Sequence, residues 1–571
     1  MLRNYLKTGT RNLAKNKGYA LINILGLSIG IAACILIFVV LRFETSFDTF
    51  HTKKDHIYRI GTAFSGQDGV SYSSGVSFPV APALRVDFPQ IKEVASIFKK
   101  GDVQVTAEQT GDRTKKFHEG AFFYAEPSFF NMFDFGWLAG NPKASLTNPD
   151  YVVLTQEIAE KYFGTWQAAI GKNIKLDNQY TYKVSGILKN VPLNTDFPLT
   201  AVASFSSLMN TNMKRSMNDW VSTMSDASIF VVLPSGYSIP KFNQELRDFA
   251  KRHRPVEYSN DALIAQPLNE IHYDDRFGNF RSHTFSKSLI RALILIGVFL
   301  LVIACVNFVN LATAQAVNRS REVGVRKVLG STRKQLSFQF MIETTFITLI
   351  SVISGTIIAS AALPLLNNLL EVKMTLNLFS DATMFLFLIG VTIVVSFLSG
   401  LYPSVILSGF NPITALKSKV TSKMMGGITL RRVLVVMQFA IAHILIIGTI
   451  IVVSQMNFFH NAALGFEKTA IVNVPIPGDS ISRTRIDYMK DKLAANPDIS
   501  SFSFSFASPS ADGNWSSDFK FDHSTKSTQF GANLKWADVN YFKTYNLQFV
   551  AGRSYYPSDT VREFVVNEKL L

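Results

Sequence analysis

Residues 318–336 read Asn-Arg-Ser-Arg-Glu-Val-Gly-Val-Arg-Lys-Val-Leu-Gly-Ser-Thr-Arg-Lys-Gln-Leu. Fixed charges at Arg319, Arg321, Glu322, Arg326, Lys327 and Arg333 interleave with Val323, Val325, Val328 and Leu329. A loop that only orients a membrane protein needs the cations but not this apolar pattern. A surface that docks another protein needs both. Gly324 and Gly330 predict two breaks in an otherwise helical stretch, and Gln335 follows the second.

Catalytic signatures are missing. There is no G-x-x-x-x-G-K-[ST] loop, and Gly324–Gly330 lacks the Lys-Ser/Thr pair after its second glycine. H-E-x-x-H, C-x-x-C and G-x-S-x-G do not occur. The chain is therefore expected to hold no catalytic residue, no metal and no cofactor of its own. His51, Asp55 and His56 lie close together, but solvated loop histidines explain them better than a metal site. Cys34 and Cys305 both lie in apolar runs, where they read as small helix residues rather than a disulfide.

Five apolar runs position these groups: 19–41, 292–314, 344–366, 382–402 and 433–453. Each reaches the roughly 20 residues needed to cross a hydrocarbon core. His443, alone in the last run, predicts a side chain packed between helices rather than a proton relay. Gly26 and Gly30 form a GxxxG step in the first run, which favours close approach of another helix. Asn307 and Asn310 on the second run, followed by Gln315 and Asn318, predict a polar face turned toward protein.

The 571 residues carry a formal charge of +15, and only 17% of them are charged. Segments 1–18, 318–337 and 403–432 each net +5, which accounts for the whole excess. The charge is thus a topology signal and not a nucleic-acid footprint. The positive-inside rule places these three segments in the cytoplasm, with the N-terminus. It places 42–291, the short loop 367–381 and 454–571 outside. Residues 2–15 read as an amphipathic helix lying on the membrane surface.

Residues 42–291 alternate strand-like pieces (Tyr151–Thr155, Thr181–Leu188) with helical ones (Gln156–Phe163, Ser238–Arg252), as a mixed α/β domain does. Residues 125–159 align without a gap to 537–571, at an offset of 412. The fold class expected is an α-helical membrane protein with five spans and an external α/β domain. The segment 454–571 is expected to be the incomplete start of a second such domain, in a chain that continues beyond it.

In the 318–343 region the chain resembles the FtsX/MacB-like permeases of ABC transporters. Arg319, Glu322, Gly324, Arg326, Lys327, Gly330, Gln339, Phe340 and Glu343 match that family's pattern, with Ser331 replacing its common alanine. Gly400-Leu401-Tyr402-Pro403, Phe410-Asn411-Pro412-Ile413, Phe47-Asp48-Thr49-Phe50-His51, Ile57-Tyr58-Arg59 and 184–192 extend the likeness. Leu430-Arg431-Arg432 and Gln438-Phe439 resemble the start of the second half in fused members.

The resemblance implies a permease without a nucleotide site, worked by a separate cytoplasmic ATPase dimer that holds ATP and magnesium. It implies a multi-pass protein of the plasma (inner) membrane, in which stiff second helices pass motion to a MacB-like periplasmic core domain. The docking residues implied are Arg319, Arg321, Glu322, Gly324, Arg326, Lys327, Gly330, Arg333 and Gln335, with 403–432 as a secondary contact. Partners are the ATPase, the lipid bilayer and a periplasmic adaptor or substrate protein. The expected function is export or efflux of an envelope substrate. The alternative is a transducer that transports nothing and controls an external hydrolase or senses envelope stress.

Overall fold

The computed structural model describes residues 17–66, 69–108, 114–258, 260–376, 381–409, 428–476, 478–511, 513, 515–521, 523–524, 527–528 and 530–571. The expected surface helix 2–15, the Phe410–Ile413 motif and most of the 403–432 contact lie outside these residues. The chain forms two compact units. A helical unit is drawn from the chain up to Ser46 and from Ser286–Asn461, and a sheet unit from Phe47–Phe285 and Ala462–Leu571.

The helical unit holds five long helices: Lys17–Thr45, Lys287–Val328, Arg333–Leu370, Ala382–Gly409 and Ile428–Asn461. Each contains one of the five apolar runs, and all five are long and apolar enough to cross a membrane. The second packs against the first, fourth and fifth, and the third against the first and fourth. Without a hydrophobic drive between helices in lipid, small residues decide where backbones meet. A Cβ on Gly30 would lie 2.7 Å from the Ala304 Cβ, and one on Gly355 2.9 Å from the Ser28 carbonyl oxygen. Cys34 Sγ donates to the Gly297 carbonyl at 3.2 Å, so this thiol acts as a small interhelical donor.

In the sheet unit, strands β1 (Ile57–Gly66), β2 (Gly69–Ser73), β3 (Glu93–Lys100), β4 (Val103–Glu108), β5 (Thr114–Glu119), β6 (Phe122–Ala125), β7 (Trp137–Ala139), β8 (Tyr151–Thr155), β9 (Asn173–Leu176), β10 (Tyr180–Leu188), β11 (Ala201–Ser204), β12 (Ala227–Val232) and β13 (Ala262–Pro267) join in one mixed sheet. Their order is β13-β1-β12-β3-β6-β11-β8-β10-β9-β4-β5, with β2 beside β1 and β7 beside β10. β8 runs parallel to β10, and the helix Gln156–Phe163 lies in the crossover between them. A parallel pair needs such a connection.

Strand residues alternate between two cores. Phe122, Tyr124, Val152 and Leu154 enter one, and Phe123, Ala125 and Val153 enter the other. Both faces are therefore covered, which is why these strands read as continuous apolar runs. A third core joins Ile229 and Val231 of β12 to Phe242, Leu246 and Phe249 of the helix Ile239–His253.

The later segment of the sheet unit repeats a part of the earlier one. The helix Tyr541–Thr544 falls on 129–132 at the offset of 412. Upstream the offset becomes 408. The bridge Ser505–Ala537 repeats Ile97–Ala125, and Pro497 and Ile499 stand where Pro89 and Ile91 do.

Candidate functional site

The second helix runs 42 residues, about 63 Å at 1.5 Å per residue. That is roughly twice the thickness of a hydrocarbon core. Its last 14 residues, 315–328, therefore extend past the apolar run as one rod of about 21 Å. The helix continues through Gly324, contrary to the break expected there. One glycine costs about 1 kcal/mol in a helix, and the burial of neighbouring Val323 offsets it.

The break comes at Gly330, whose φ of +98° favours a residue without a Cβ. Leu329 N donates to Val325 O at 3.0 Å, Gly330 N to Lys327 O at 3.1 Å and Ser331 N to Arg326 O at 3.0 Å. The Thr332 hydroxyl then accepts from Gln335 N, while Gln335 Oε1 accepts from Thr332 N at 2.9 Å. That reciprocal box starts the third helix at once. The expected loop is thus a helical hairpin with a turn of four residues, 329–332.

The hairpin has two faces, each spaced i, i+4, i+7. Arg319, Val323 and Arg326 turn inward. The Arg319 guanidinium meets the Glu343 carboxylate with both arms, at 3.1 and 2.9 Å. Arg326 donates to Gln339 Oε1 at 2.7 Å across the hairpin and to Glu322 Oε1 at 2.6 Å along its own helix. Val323 and Leu336 are buried between the two helices. On the other face Arg321, Val325 and Val328 are exposed, and so are Leu329, Gly330, Arg333, Lys334 and Gln335 around the turn. Leu329 is 80% exposed, far from the usual state of a leucine. Lys327 is half-buried. Burial, and behind it the Arg333 charge, hold its ammonium below the ordinary lysine range.

Of the expected helix-packing residues, Gly30 makes the close contact and Gly26 faces open space, with no atom within 4 Å of an added Cβ. Asn307 accepts from Gln438 of the fifth helix at 2.9 Å. The buried Asn310 Oδ1 has no hydrogen-bond partner among the described residues. His443 does not pack between helices as expected. It is exposed, and its Nδ1 donates to the Phe439 carbonyl one turn back, at 2.7 Å.

The sheet unit holds a polar network that sequence reasoning missed. His51 is 1% exposed, contrary to the solvated loop histidine expected from the sequence. Its Nδ1 accepts from Asp134 N at 3.0 Å, and Phe133, Phe135 and Phe197 surround the ring. His56 is exposed. Asp48 accepts from the Thr195 hydroxyl and from Asp196 N. Asp196 Oδ1 faces His272 Nδ1 at 3.2 Å and accepts from Asn279 at 2.8 Å. Burial raises the Asp196 carboxyl above the ordinary aspartate range, against the hydrogen bond from His272.

Arg59, fully buried, donates to Gln266 Oε1 at 3.1 and 2.6 Å and to the Gly278 carbonyl at 2.9 Å. The Ile-Tyr-Arg motif around it was the available signal. Elsewhere an open cleft of about 680 Å³ is lined by Lys53, Arg85, Lys92, Glu93, Glu126 and Lys143, among others. Lys53 is paired with Glu93, and Arg85 with Glu126.

Residues 20–249 match the family described as MacB-like periplasmic core domain, and residues 294–412 the family described as FtsX-like permease C-terminal. The macrolide export ATP-binding/permease protein MacB of Syntrophobacter fumaroxidans is 23% identical over 476 residues, which cover 73% of this chain and 64% of that protein. The protein of that name from Bdellovibrio bacteriovorus is 24% identical over 273 residues, covering 46% and 38%. The chain thus spans less than two thirds of the length of these relatives. The periplasmic region of MacB from Actinobacillus actinomycetemcomitans superposes with a TM-score of 0.27 at 14% identity, over 37% of this chain and 90% of that region. The assignment rests on the sequence matches, in which a periplasmic core domain precedes a permease region. The chain belongs to the FtsX/MacB-like permeases of ABC transporters, as a membrane subunit.

Proposed function

We propose that this subunit couples ATP hydrolysis by a separate cytoplasmic ATPase dimer to movement of its periplasmic domain, and so drives export or extrusion of an envelope substrate. The observation that carries this reading is the hairpin tip. Val325, Val328 and Leu329 are exposed on a rod that continues directly from a membrane run, with Arg321, Arg333 and Lys334 around them. Exposed aliphatic residues rimmed by charge suit a protein partner. In this reading ATP and magnesium sit on the partner, and Arg321, Val328, Leu329 and Arg333 make the contact.

The excess of cations in 1–18, 318–337 and 403–432 supports a cytoplasmic tip and N-terminus in the inner membrane. The relatives' printed name speaks of macrolide export, and a related amphiphilic cargo is the first substrate class to test.

Reconstitution of the chain with its co-purifying ATP-binding subunit in lipid vesicles tests the reading. Hydrolysis should rise when the two are joined and fall to the rate of the ATPase alone with Leu329→Asp. Equal rates with and without the chain would refute coupling.

A further inference from the structure

We infer that Arg319 is a positioning residue that rivets the cytoplasmic hairpin to the membrane helices, and not part of the surface that meets the ATPase. This rests on the coupling reading above and assigns a separate role within it.

The placement is specific. Arg319 stands five residues beyond the end of the second apolar run, and Glu343 one residue before the start of the third. The pair therefore sits where both helices leave their apolar runs. The guanidinium side chain is 14% exposed and the carboxylate 8%. Arg319 also lies over the Tyr19 ring of the first helix, 5.9 Å from its centroid. Three helices meet at one bidentate contact. The exposed tip at Leu329 is ten residues away, about 15 Å along the helix.

A second rung, Arg326 to Gln339, lies between the rivet and the turn. The capping box at Thr332 and Gln335 closes the far end. Force applied at the tip therefore meets a braced hairpin, and Arg319–Glu343 is the brace nearest the membrane. By sequence the first and second helices run directly into the sheet unit, at Phe47 and from Phe285.

A buried ion pair is a weak source of stability, because desolvation offsets most of its attraction. Apolar residues of similar size replace such pairs at little cost. What the pair supplies is direction. Two parallel N–H···O bonds fix the relative height and rotation of two helices, whereas an apolar contact slides. The Arg319–Glu343 pair is thus needed for transmission, while its joint replacement by apolar residues is compatible with folding and with ATPase binding.

The test uses the full chain with its ATPase in lipid nanodiscs. Spin labels on the exposed residues Val86 and Leu369 report movement of the sheet unit relative to the third helix. In the wild type, ATP should shift the distance distribution. R319Q, which keeps a hydrogen-bond donor for Glu343 but not the charge, should lose the ATP-dependent shift. The double variant R319M/E343L should unfold at the wild-type temperature and co-purify with the ATPase as the wild type does, yet also lose the shift. Loss of ATPase co-purification in a folded R319M/E343L would make Arg319 a docking residue and overturn the inference. So would a full shift in R319M/E343L. Absence of both ATPase binding and shift in the wild type would instead sink the coupling reading.

Discussion

Glu126 and Asp538, 412 positions apart, make the same bonds. Glu126 N donates to the Ser96 carbonyl at 3.1 Å, and its carboxylate accepts from Ser96 N at 2.8 Å. Asp538 N donates to the Phe504 carbonyl at 3.0 Å, and its carboxylate accepts from Phe504 N at 2.9 Å. In both copies the carboxylate stands in for a missing strand partner just before a short helix. A buried N–H that loses its acceptor costs about 1–3 kcal/mol. Glu126→Ala and Asp538→Ala should each speed amide exchange at Ser96 and Phe504 respectively, in the intact chain. Unchanged exchange at both would show that the repeat is one of shape without shared energetics.

Gly330 sets the hairpin turn by its positive φ. Gly330→Ala places a Cβ where an L residue pays about 1 kcal/mol or more. Hydrogen exchange should rise in 327–335 and stay unchanged in the third helix beyond residue 335 and in the fourth helix. An exchange pattern like the wild type would mean that the turn tolerates the strain.

Gly30 and Gly26 differ, although they form one motif. A side chain at 30 collides with Ala304, while one at 26 meets nothing within 4 Å. Gly30→Val should lower the unfolding temperature of the detergent-solubilised chain by several degrees, on the scale of about 1–3 kcal/mol for overpacking. Gly26→Val should leave it unchanged. Equal effects would contradict the observed packing of the first and second helices.

Asp196 sets a pH dependence. Its carboxyl is raised by burial, so the folded chain holds that proton to a higher pH than the unfolded chain does. The stability tied to this proton is present below the unfolded value of about 3.9 and is lost as pH rises through the folded value. Asp196→Asn keeps an oxygen for His272 and Asn279 but removes the titration. Its stability should gain on the wild type as pH rises across that window. Parallel curves would rule out a raised Asp196.

Much of this was legible in the residues. Tyr151–Thr155 and Gln156–Phe163 were delimited to the residue, because a buried strand followed by an amphipathic helix changes period at one position. The apolar runs fell inside helices because length in hydrocarbon leaves no alternative. The faces of the hairpin were less legible. Composition marks Arg319 and Arg321 alike as cations. Only the i, i+4, i+7 spacing through Val323 and Val325 separates the inward set from the outward one. Gly324 misled for a related reason, since tertiary packing overrides propensity at a buried position. His51 misled because its aromatic cage comes from Phe133, Phe135 and Phe197, far away in the chain. No local pattern announces contacts at that separation.

The most direct test of the account places a photoreactive amino acid at single positions of the chain in intact membranes. At Leu329 the account predicts a light-dependent adduct with the ATP-binding subunit, identified by its phosphate-loop peptides. At Arg319, and at Val86 of the periplasmic domain, it predicts none. An adduct from 319 or 86, or none from 329, would contradict the assignment of the hairpin tip as the place where the ATPase engages.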